Sequence, residues 1–239
     1  MKKLGCLLPI IVIILIIGGL IYTGVITETM LYSWADRGLS GAIGLLQSLQ
    51  DELRSKTGAT EEEKASLLLV NAEHPLPDGY EPAPMVRLFD QKRHFLLARD
   101  DLYLTEEVFE AANRMFKAAE DEGLNGFIMT SAYRSRDKQE EIYQESAAGL
   151  AQKPGCSEHE TGLAFDVTAR TSTGSFAYTE QCRWLLAHCH EYGFIQRYPE
   201  GKESITGISY EPWHYRYVGV ETAKKMKRLG VTLEEYLGG

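Results

Sequence analysis

The sequence is poor in cysteine, which limits what disulfides can contribute to its stability. It has four cysteines among 239 residues, and Cys6 lies in an apolar run near the N-terminus. The other three, Cys156, Cys182 and Cys189, are an odd number, which leaves at least one thiol free unless two chains pair. Cys182 and Cys189 have the spacing of one apolar face of a predicted helix, which favours buried thiols over metal ligands.

The sequence also lacks an excess of basic residues. It carries 25 lysines and arginines against 34 acidic residues, a formal net charge of −9. This balance argues against nucleic acid and against anionic surfaces as simple electrostatic partners. With 44% hydrophobic and 25% charged residues, the composition is that of a globular protein rather than a disordered one.

One stretch, residues 4–26, contains no charged side chain at all. A helix needs roughly 20 apolar residues to cross a bilayer, and this stretch supplies them. Lys2 and Lys3 precede it, so the positive-inside rule places the N-terminus in the cytoplasm and the remainder outside. A cleaved signal peptide is the alternative, but the residues after the run fit an Ala-x-Ala-like cleavage site poorly. We therefore predict an uncleaved transmembrane anchor over residues 1–26, which attaches the protein to the cell membrane.

Residues 27–66 are predicted to form a stalk. Leu46, Leu49 and Leu53 have helical spacing, and a break with an acidic run follows them. A short amphipathic helix with a flexible spacer fits this pattern. A dimerising helix is the alternative, but the segment has fewer than three clean heptads, so we expect a monomer.

A single globular domain is predicted over residues 67–239, beginning with a short apolar strand at Leu67. Four helices are expected: one that Thr105 caps, a second that Ser135 caps, a third that Thr179 caps, and a fourth from Val220 to Gly230. Strands are expected at Phe127–Ser131, Leu163–Val167 and Trp213–Val218. Because helices and strands intermix without strict alternation, we predict a small α+β fold with a mostly antiparallel sheet and flanking helices.

Two short clusters carry the residue types of a catalytic metal site. They run Ser157-Glu-His-Glu-Thr-Gly-Leu-Ala-Phe-Asp166 and Glu211-Pro-Trp-His214. Together they offer two imidazoles and a carboxylate, His159, His214 and Asp166, which is a donor set that a catalytic zinc uses while a fourth position stays open. Gly162 is expected to form a turn that folds His159 back over a strand ending in Asp166. Glu211, next to a ligand but not itself bound, is the natural general base.

A third cluster, Thr130-Ser-Ala-Tyr-Arg-Ser135 followed by Gln139, brings a guanidinium close to several hydroxyls. Arginine binds a carboxylate through two parallel hydrogen bonds, which suits a substrate with a free C-terminus. Arg134 is therefore a candidate to bind the substrate or to stabilise charge on the attacked carbonyl oxygen. The alternative is an ordinary arginine paired with a nearby acid at a helix cap.

Taken together, the three clusters resemble the VanY-type D-alanyl-D-alanine carboxypeptidases, which are zinc peptidases that act on peptidoglycan. The resemblance extends over residues 67–239 and shows no departure at the proposed ligand or base positions. It implies that zinc is the cofactor, with His159, Asp166 and His214 as ligands, Glu211 as base and Arg134 as a second catalytic residue. It further implies a pocket for the terminal residue of the substrate, lined by Ser131, Tyr133, Gln139, Ser157 and Trp213.

The implied substrate is a peptidoglycan stem peptide that loses its C-terminal D-alanine, which agrees with a catalytic domain on the cell-wall side of the membrane. An L,D-carboxypeptidase acting on tetrapeptide stems remains open, as does a dipeptidase, although an external location disfavours the latter. A wall-binding module without turnover is a different class of alternative. The complete set of ligands and base favours an enzyme.

Overall fold

The computed structural model describes residues 67–146, 151–170 and 174–238. The predicted membrane anchor (1–26) and stalk (27–66) lie outside these residues. In the described part of the chain, no helix is both long enough and apolar enough to cross a membrane. The predicted globular domain falls almost entirely within it.

The described strands form two sheets. The larger has five strands in the order β2-β4-β5-β7-β6, in which only the β2–β4 pair is parallel and the other pairs are antiparallel. The smaller sheet is the antiparallel pair β1–β3. The strands are β1 (Met85–Arg87), β2 (Leu96–Leu97), β3 (Tyr103–Thr105), β4 (Phe127–Ser131), β5 (Ala164–Ala169), β6 (Phe194–Tyr198) and β7 (Glu211–Tyr217).

Helices connect and flank these strands, so the predicted α+β class with a mostly antiparallel sheet is confirmed. The α-helices are α1 (Glu106–Asp121), α2 (Arg136–Glu145), α3 (Glu180–His188), α4 (Glu203–Thr206), α5 (Val220–Leu229) and α6 (Leu233–Leu237). Short 3-10 turns are formed by Leu88–Asp90, Glu158–Thr161, Phe176–Tyr178 and Cys189–Tyr192.

The four predicted helices are all present, and two of the three predicted caps are made. The side chains of Ser135 and Thr179 accept hydrogen bonds from the backbone amides of Lys138 and Cys182 at the starts of α2 and α3. Thr105 precedes α1 as expected, but its side chain makes no capping bond and its hydroxyl is buried without a partner.

Three details of the predicted strands are wrong. Leu67 to Val70 pair with no strand: Val70 is fully buried, and the Leu68 carbonyl accepts a bond from the Arg216 side chain instead of a ladder amide. Strand β5 runs on to Ala169, two residues beyond the predicted end at Val167, because Ala169 adds another buried residue to the core. Strand β7 begins at Glu211, two residues before the predicted start at Trp213, and Pro212 falls where the pairing of β6 with β7 shifts register.

The two faces of the five-stranded sheet differ in chemistry, and this difference places the site. Phe165 and Val167 of β5 and Tyr215 of β7 belong to the apolar core, where the ring of Phe116 from α1 lies 6.0 Å from that of Phe165. Side chains alternate between the faces of a strand. Asp166 therefore lies on the face opposite the core.

Candidate active site

Asp166 and His214 lie on neighbouring strands, directly opposite each other in the antiparallel ladder of β5 and β7. Their side chains share one face of the sheet, and Oδ1 of Asp166 lies 3.0 Å from Nδ1 of His214. The carboxylate is held ionised. Burial opposes this, but the adjacent His159 and His214 outweigh it and hold the Asp166 pKa well below its usual range.

His159 reaches the same place from the turn Glu158–Thr161. This turn ends at Gly162 in a left-handed conformation, φ +70°, as predicted, and a Cβ there would lie 3.2 Å from Cγ2 of Thr105. Nδ1 of His159 lies 2.7 Å from the Ala132 carbonyl, and Nε2 lies 3.3 Å from Oδ2 of Asp166. Burial lowers the pKa of His159 and so favours the neutral imidazole that metal binding requires.

The three predicted ligands fit a zinc ion. One donor atom from each of His159, Asp166 and His214 lies within 4.8 Å of the others. Two imidazole nitrogens and one carboxylate oxygen are donors that zinc takes at catalytic sites. The second ring nitrogen of each histidine contacts a protein oxygen, the Ala132 carbonyl for His159 and a Glu158 carboxylate oxygen for His214, which fixes the direction of each ring. The predicted metal triad is therefore assembled in space.

Glu211 stands beside this triad at the start of β7. Its Oε2 lies 3.9 Å from Nδ1 of His214, so the carboxylate is close to the metal-binding atoms without belonging to them. Burial raises the pKa of Glu211 above its ordinary value, although His214 and Arg134 oppose the shift. A raised pKa makes the carboxylate a better proton acceptor at neutral pH, as a general base requires.

Arg134 and Gln139 form a hydrogen-bonded pair at the edge of the triad. Nη1 of Arg134 donates to Oε1 of Gln139 at 2.8 Å, and Nη2 lies 3.9 Å from Oδ2 of Asp166. Gln139 is 1% exposed and donates its amide to the Gln152 carbonyl at 2.7 Å. The contact of the Gln139 side-chain oxygen with Arg134 is one that orients the guanidinium, and the predicted contact of Gln139 with substrate stays a prediction.

These groups open into one cavity of 430 Å³. Trp213, 39% exposed, lies in its wall and Ser157 lines it as predicted. Ser131 and Tyr133 are not among the lining residues, so the predicted pocket has no support from its geometry at these two positions. The wall includes Arg134, Gln139, Ile142, Ser157, Glu158, His159, Asp166, Tyr198, Ile208, Tyr210, Glu211, Trp213 and His214.

Tyr198 and Glu158 belong to the site, although no local sequence pattern predicted a role for them. The ring of Tyr198 packs 5.0 Å from that of His214 at the end of β6. Strand β6 itself went unpredicted, because Phe194-Ile-Gln-Arg-Tyr198 follows the third helix without an alternating pattern. Glu158 adjoins a candidate ligand in sequence, which was the available signal for it.

The Gln139 contact gives a testable expectation for substrate binding. Gln139→Met keeps the approximate volume of the side chain but removes the acceptor that holds the Arg134 guanidinium. Since a hydrogen bond to a charged group contributes about 1.5–3 kcal/mol, we expect KM for a stem peptide to rise about tenfold or more with the zinc content unchanged. Steady-state kinetics would measure KM in Gln139→Met and in the control Gln144→Met, an exposed change on the same helix. Equal KM values in both variants would contradict the orienting role.

The fold and the site together have the donor set and the cavity of a zinc metallopeptidase. A family model described as VanY, D-alanyl-D-alanine carboxypeptidase, matches residues 101–220. The chain belongs to this family, which confirms the resemblance inferred from its motifs.

Individual relatives agree in sequence and in structure. A D-alanyl-D-alanine carboxypeptidase of Enterococcus faecium is 36% identical over 183 residues, which are 74% of this chain and 60% of that protein. The structure of the LdcB LD-carboxypeptidase has a TM-score of 0.66 at 36% identity and covers 74% of this chain and 88% of that one. A mutant of the vancomycin resistance D,D-pentapeptidase VanY in complex with Zn(II) has a TM-score of 0.61 at 34% identity and covers 72% and 99%. The matches span 60% to 67% of the length of three curated relatives.

Proposed function

We propose that the protein is a zinc-dependent carboxypeptidase that removes the C-terminal D-alanine from peptidoglycan stem peptides. The observation that carries this proposal is the meeting of His159, Asp166 and His214 within 4.8 Å in a cavity that Glu211 and Arg134 also line. Membership of the VanY family and a relative's complex with Zn(II) support the choice of zinc. A cavity with a metal triad, a carboxylate and a guanidinium suits a peptide that ends in a carboxylate.

Within this proposal the metal and the chain's own residues have separate tasks. When bound by His159, Asp166 and His214, zinc supplies Lewis-acid polarisation of the scissile carbonyl and lowers the pKa of water. Arg134 binds the terminal carboxylate of the substrate through its guanidinium, which burial and the Gln139 bond hold in place. Oε2 of Glu211 accepts a proton from the attacking water and returns it to the leaving amine.

The scissile bond is tested by digestion of two synthetic stems. We expect the purified protein to release D-alanine from a pentapeptide that ends in D-Ala-D-Ala, with the products identified by mass. An L,D-carboxypeptidase is the second candidate, and the similarity to the LdcB LD-carboxypeptidase favours including it. If D-alanine is released only from the tetrapeptide, the protein is an L,D-carboxypeptidase and not a D,D-carboxypeptidase. A protein that cleaves neither stem with zinc bound would contradict both.

The role of Arg134 predicts a strong preference for a free substrate C-terminus. Amidation of the pentapeptide removes the carboxylate charge, and hydrogen bonds to charged groups contribute about 1.5–3 kcal/mol. We expect kcat/KM to fall about 10- to 100-fold on amidation in the unaltered protein. In Arg134→Ala the free and amidated peptides should be cleaved at similar, low rates. If amidation lowers kcat/KM equally in the unaltered protein and in Arg134→Ala, a residue other than Arg134 binds the terminal carboxylate of the substrate.

Location is a further part of the proposal. The uncharged run of residues 4–26 after Lys2 and Lys3 supports a single-pass anchor with the catalytic domain on the cell-wall side. Without the two lysines the rest of the chain carries −11, from 23 basic and 34 acidic residues, which gives it no electrostatic attraction to nucleic acid. Fractionation of cells with external protease treatment would test the anchor, and sedimentation of the purified protein would test the proposed monomer.

A further inference from the structure

Glu158 is a buried carboxylate that the proposed reaction does not use. It is 1% exposed and precedes His159 in the turn over the sheet. Its Oε2 lies 3.2 Å from Nε2 of His214, while Nδ1 of the same ring faces Asp166. The carboxylate therefore contacts the side of the His214 ring that points away from the other two ligands.

Two arginines fix this carboxylate from the opposite side. Oε1 of Glu158 accepts bonds from Nε of Arg197 at 2.7 Å and from Nη1 of Arg216 at 2.8 Å. Both arginines have fully buried side chains. Arg197 in turn binds Glu234 of α6 through two parallel hydrogen bonds of 2.6 and 2.9 Å.

The charges of this network balance among its four ionised side chains. Two carboxylates, Glu158 and Glu234, face two guanidiniums, Arg197 and Arg216, and none of the four side chains is more than 8% exposed. Burial of charge is costly unless each group is paired and hydrogen-bonded, and here each is. The carboxylate of Glu158 is therefore rigidly placed as an acceptor.

The position of this acceptor decides which nitrogen of His214 can bind a metal. A carboxylate accepts but does not donate, and each ring nitrogen of His214 faces one: Nε2 faces Glu158 and Nδ1 faces Asp166. Asp166 is itself a proposed zinc ligand, so Nδ1 lies on the metal side of the ring, whereas Glu158 is the acceptor that keeps hydrogen on Nε2 when Nδ1 binds the metal. Metal-binding histidines commonly donate their other N–H to a carboxylate, which fixes tautomer and ring direction.

We propose that Glu158 is a positioning residue that holds His214 with Nδ1 aimed at the zinc site, and that Arg197 and Arg216 hold Glu158 for this purpose. The inference rests on the proposed function, because it takes the zinc site of His159, Asp166 and His214 as given. One turn then serves both histidines, since it contributes His159 as a ligand and Glu158 as the partner of the other ligand.

The test compares two changes that disturb the same network at different places. Glu158→Gln removes the carboxylate that faces His214, whereas Glu234→Gln removes the carboxylate at the far end and leaves the His214 contact intact. We expect zinc affinity, measured by competition with a chromophoric chelator, to fall about 10- to 100-fold in Glu158→Gln. Glu234→Gln should lower thermal stability but change zinc affinity by less than about tenfold.

The visible spectrum of the cobalt-substituted protein adds a readout that stability alone would not move. It should change in Glu158→Gln and remain as in the unaltered protein in Glu234→Gln, because it reports the geometry of the ligands. Glu158→Asp keeps a charge against the arginines but is one methylene shorter. If Glu158→Gln fails to fold, Glu158→Asp takes its place in the test. We expect Glu158→Asp to bind zinc more weakly than the unaltered protein.

Two results would overturn the positioning role: unaltered zinc affinity in both Glu158 variants, or an equal loss in Glu234→Gln. His214→Ala separates this failure from failure of the zinc site itself. If His214→Ala binds zinc normally, the site proposed for the metal is wrong. If His214→Ala loses zinc while both Glu158 variants keep it, only the positioning role is wrong.

Discussion

Replacing Glu211 by glutamine is expected to remove most of the hydrolysis of the stem peptide while zinc remains bound. The amide is nearly the same size as the carboxylate but does not accept a proton at neutral pH. General acid–base catalysis typically raises the reaction rate about 10²- to 10⁴-fold. We therefore expect kcat to decrease by a factor in that range. The zinc content should stay at its original value, because Glu211 lies beside the triad and outside the set of ligands.

The experiment measures D-alanine release and zinc content on the same preparation. Glu221→Gln, an exposed change at the start of α5, is the matched control and should leave both quantities unaltered. Loss of zinc in Glu211→Gln would make Glu211 a ligand. Full activity in Glu211→Gln would show that Glu211 is not the general base.

Replacing Asp166 by asparagine is expected to empty the metal site. Asp166 contributes the carboxylate charge of the triad and contacts both histidines, at 3.3 Å for His159 and 3.0 Å for His214. Loss of a residue that merely hydrogen-bonds to a ligand lowers metal affinity about 10- to 100-fold. We expect the loss of a ligand's charge to lower it by more than about 100-fold, and activity to fall with it.

Chelator competition measures this affinity directly, and Asp90→Asn, a change at an exposed aspartate, serves as control. Addition of zinc in large excess should partly restore the activity of Asp166→Asn, because the catalytic residues Glu211 and Arg134 are still present. Asp166→Asn protein that binds zinc as tightly as the control would place the metal elsewhere.

Much of this site followed from local sequence patterns. The alternation in β5 and β7 predicts that Asp166 and His214 leave their strands on the faces away from Phe165 and Tyr215, and the structure agrees. Gly162 predicted the turn that returns His159 to the sheet, and its left-handed backbone confirms it. The prediction of the metal site depended on the joint occurrence of these residues, because each of them alone has an ordinary structural explanation.

Other parts depend on contacts between residues that are distant in sequence. Arg197 and Glu158 are 39 residues apart, and Arg216 and Glu158 are 58 apart, so no local spacing indicates that they form one network. Arg216 bonds to the carbonyl of Leu68, 148 residues away, which ties the segment after Leu67 to the domain without its being a strand. The side-chain role of Gln139 likewise depends on Gln152, beyond the end of its own helix.

The most direct test of the zinc carboxypeptidase assignment is one titration on the purified protein. Zinc is removed with a chelator and returned stepwise, while bound zinc and D-alanine release from the pentapeptide are measured in the same samples. Release should disappear with the metal and return in proportion, reaching its maximum at one zinc per chain. Undiminished release from the zinc-free protein, or none at full zinc occupancy, would contradict the assignment.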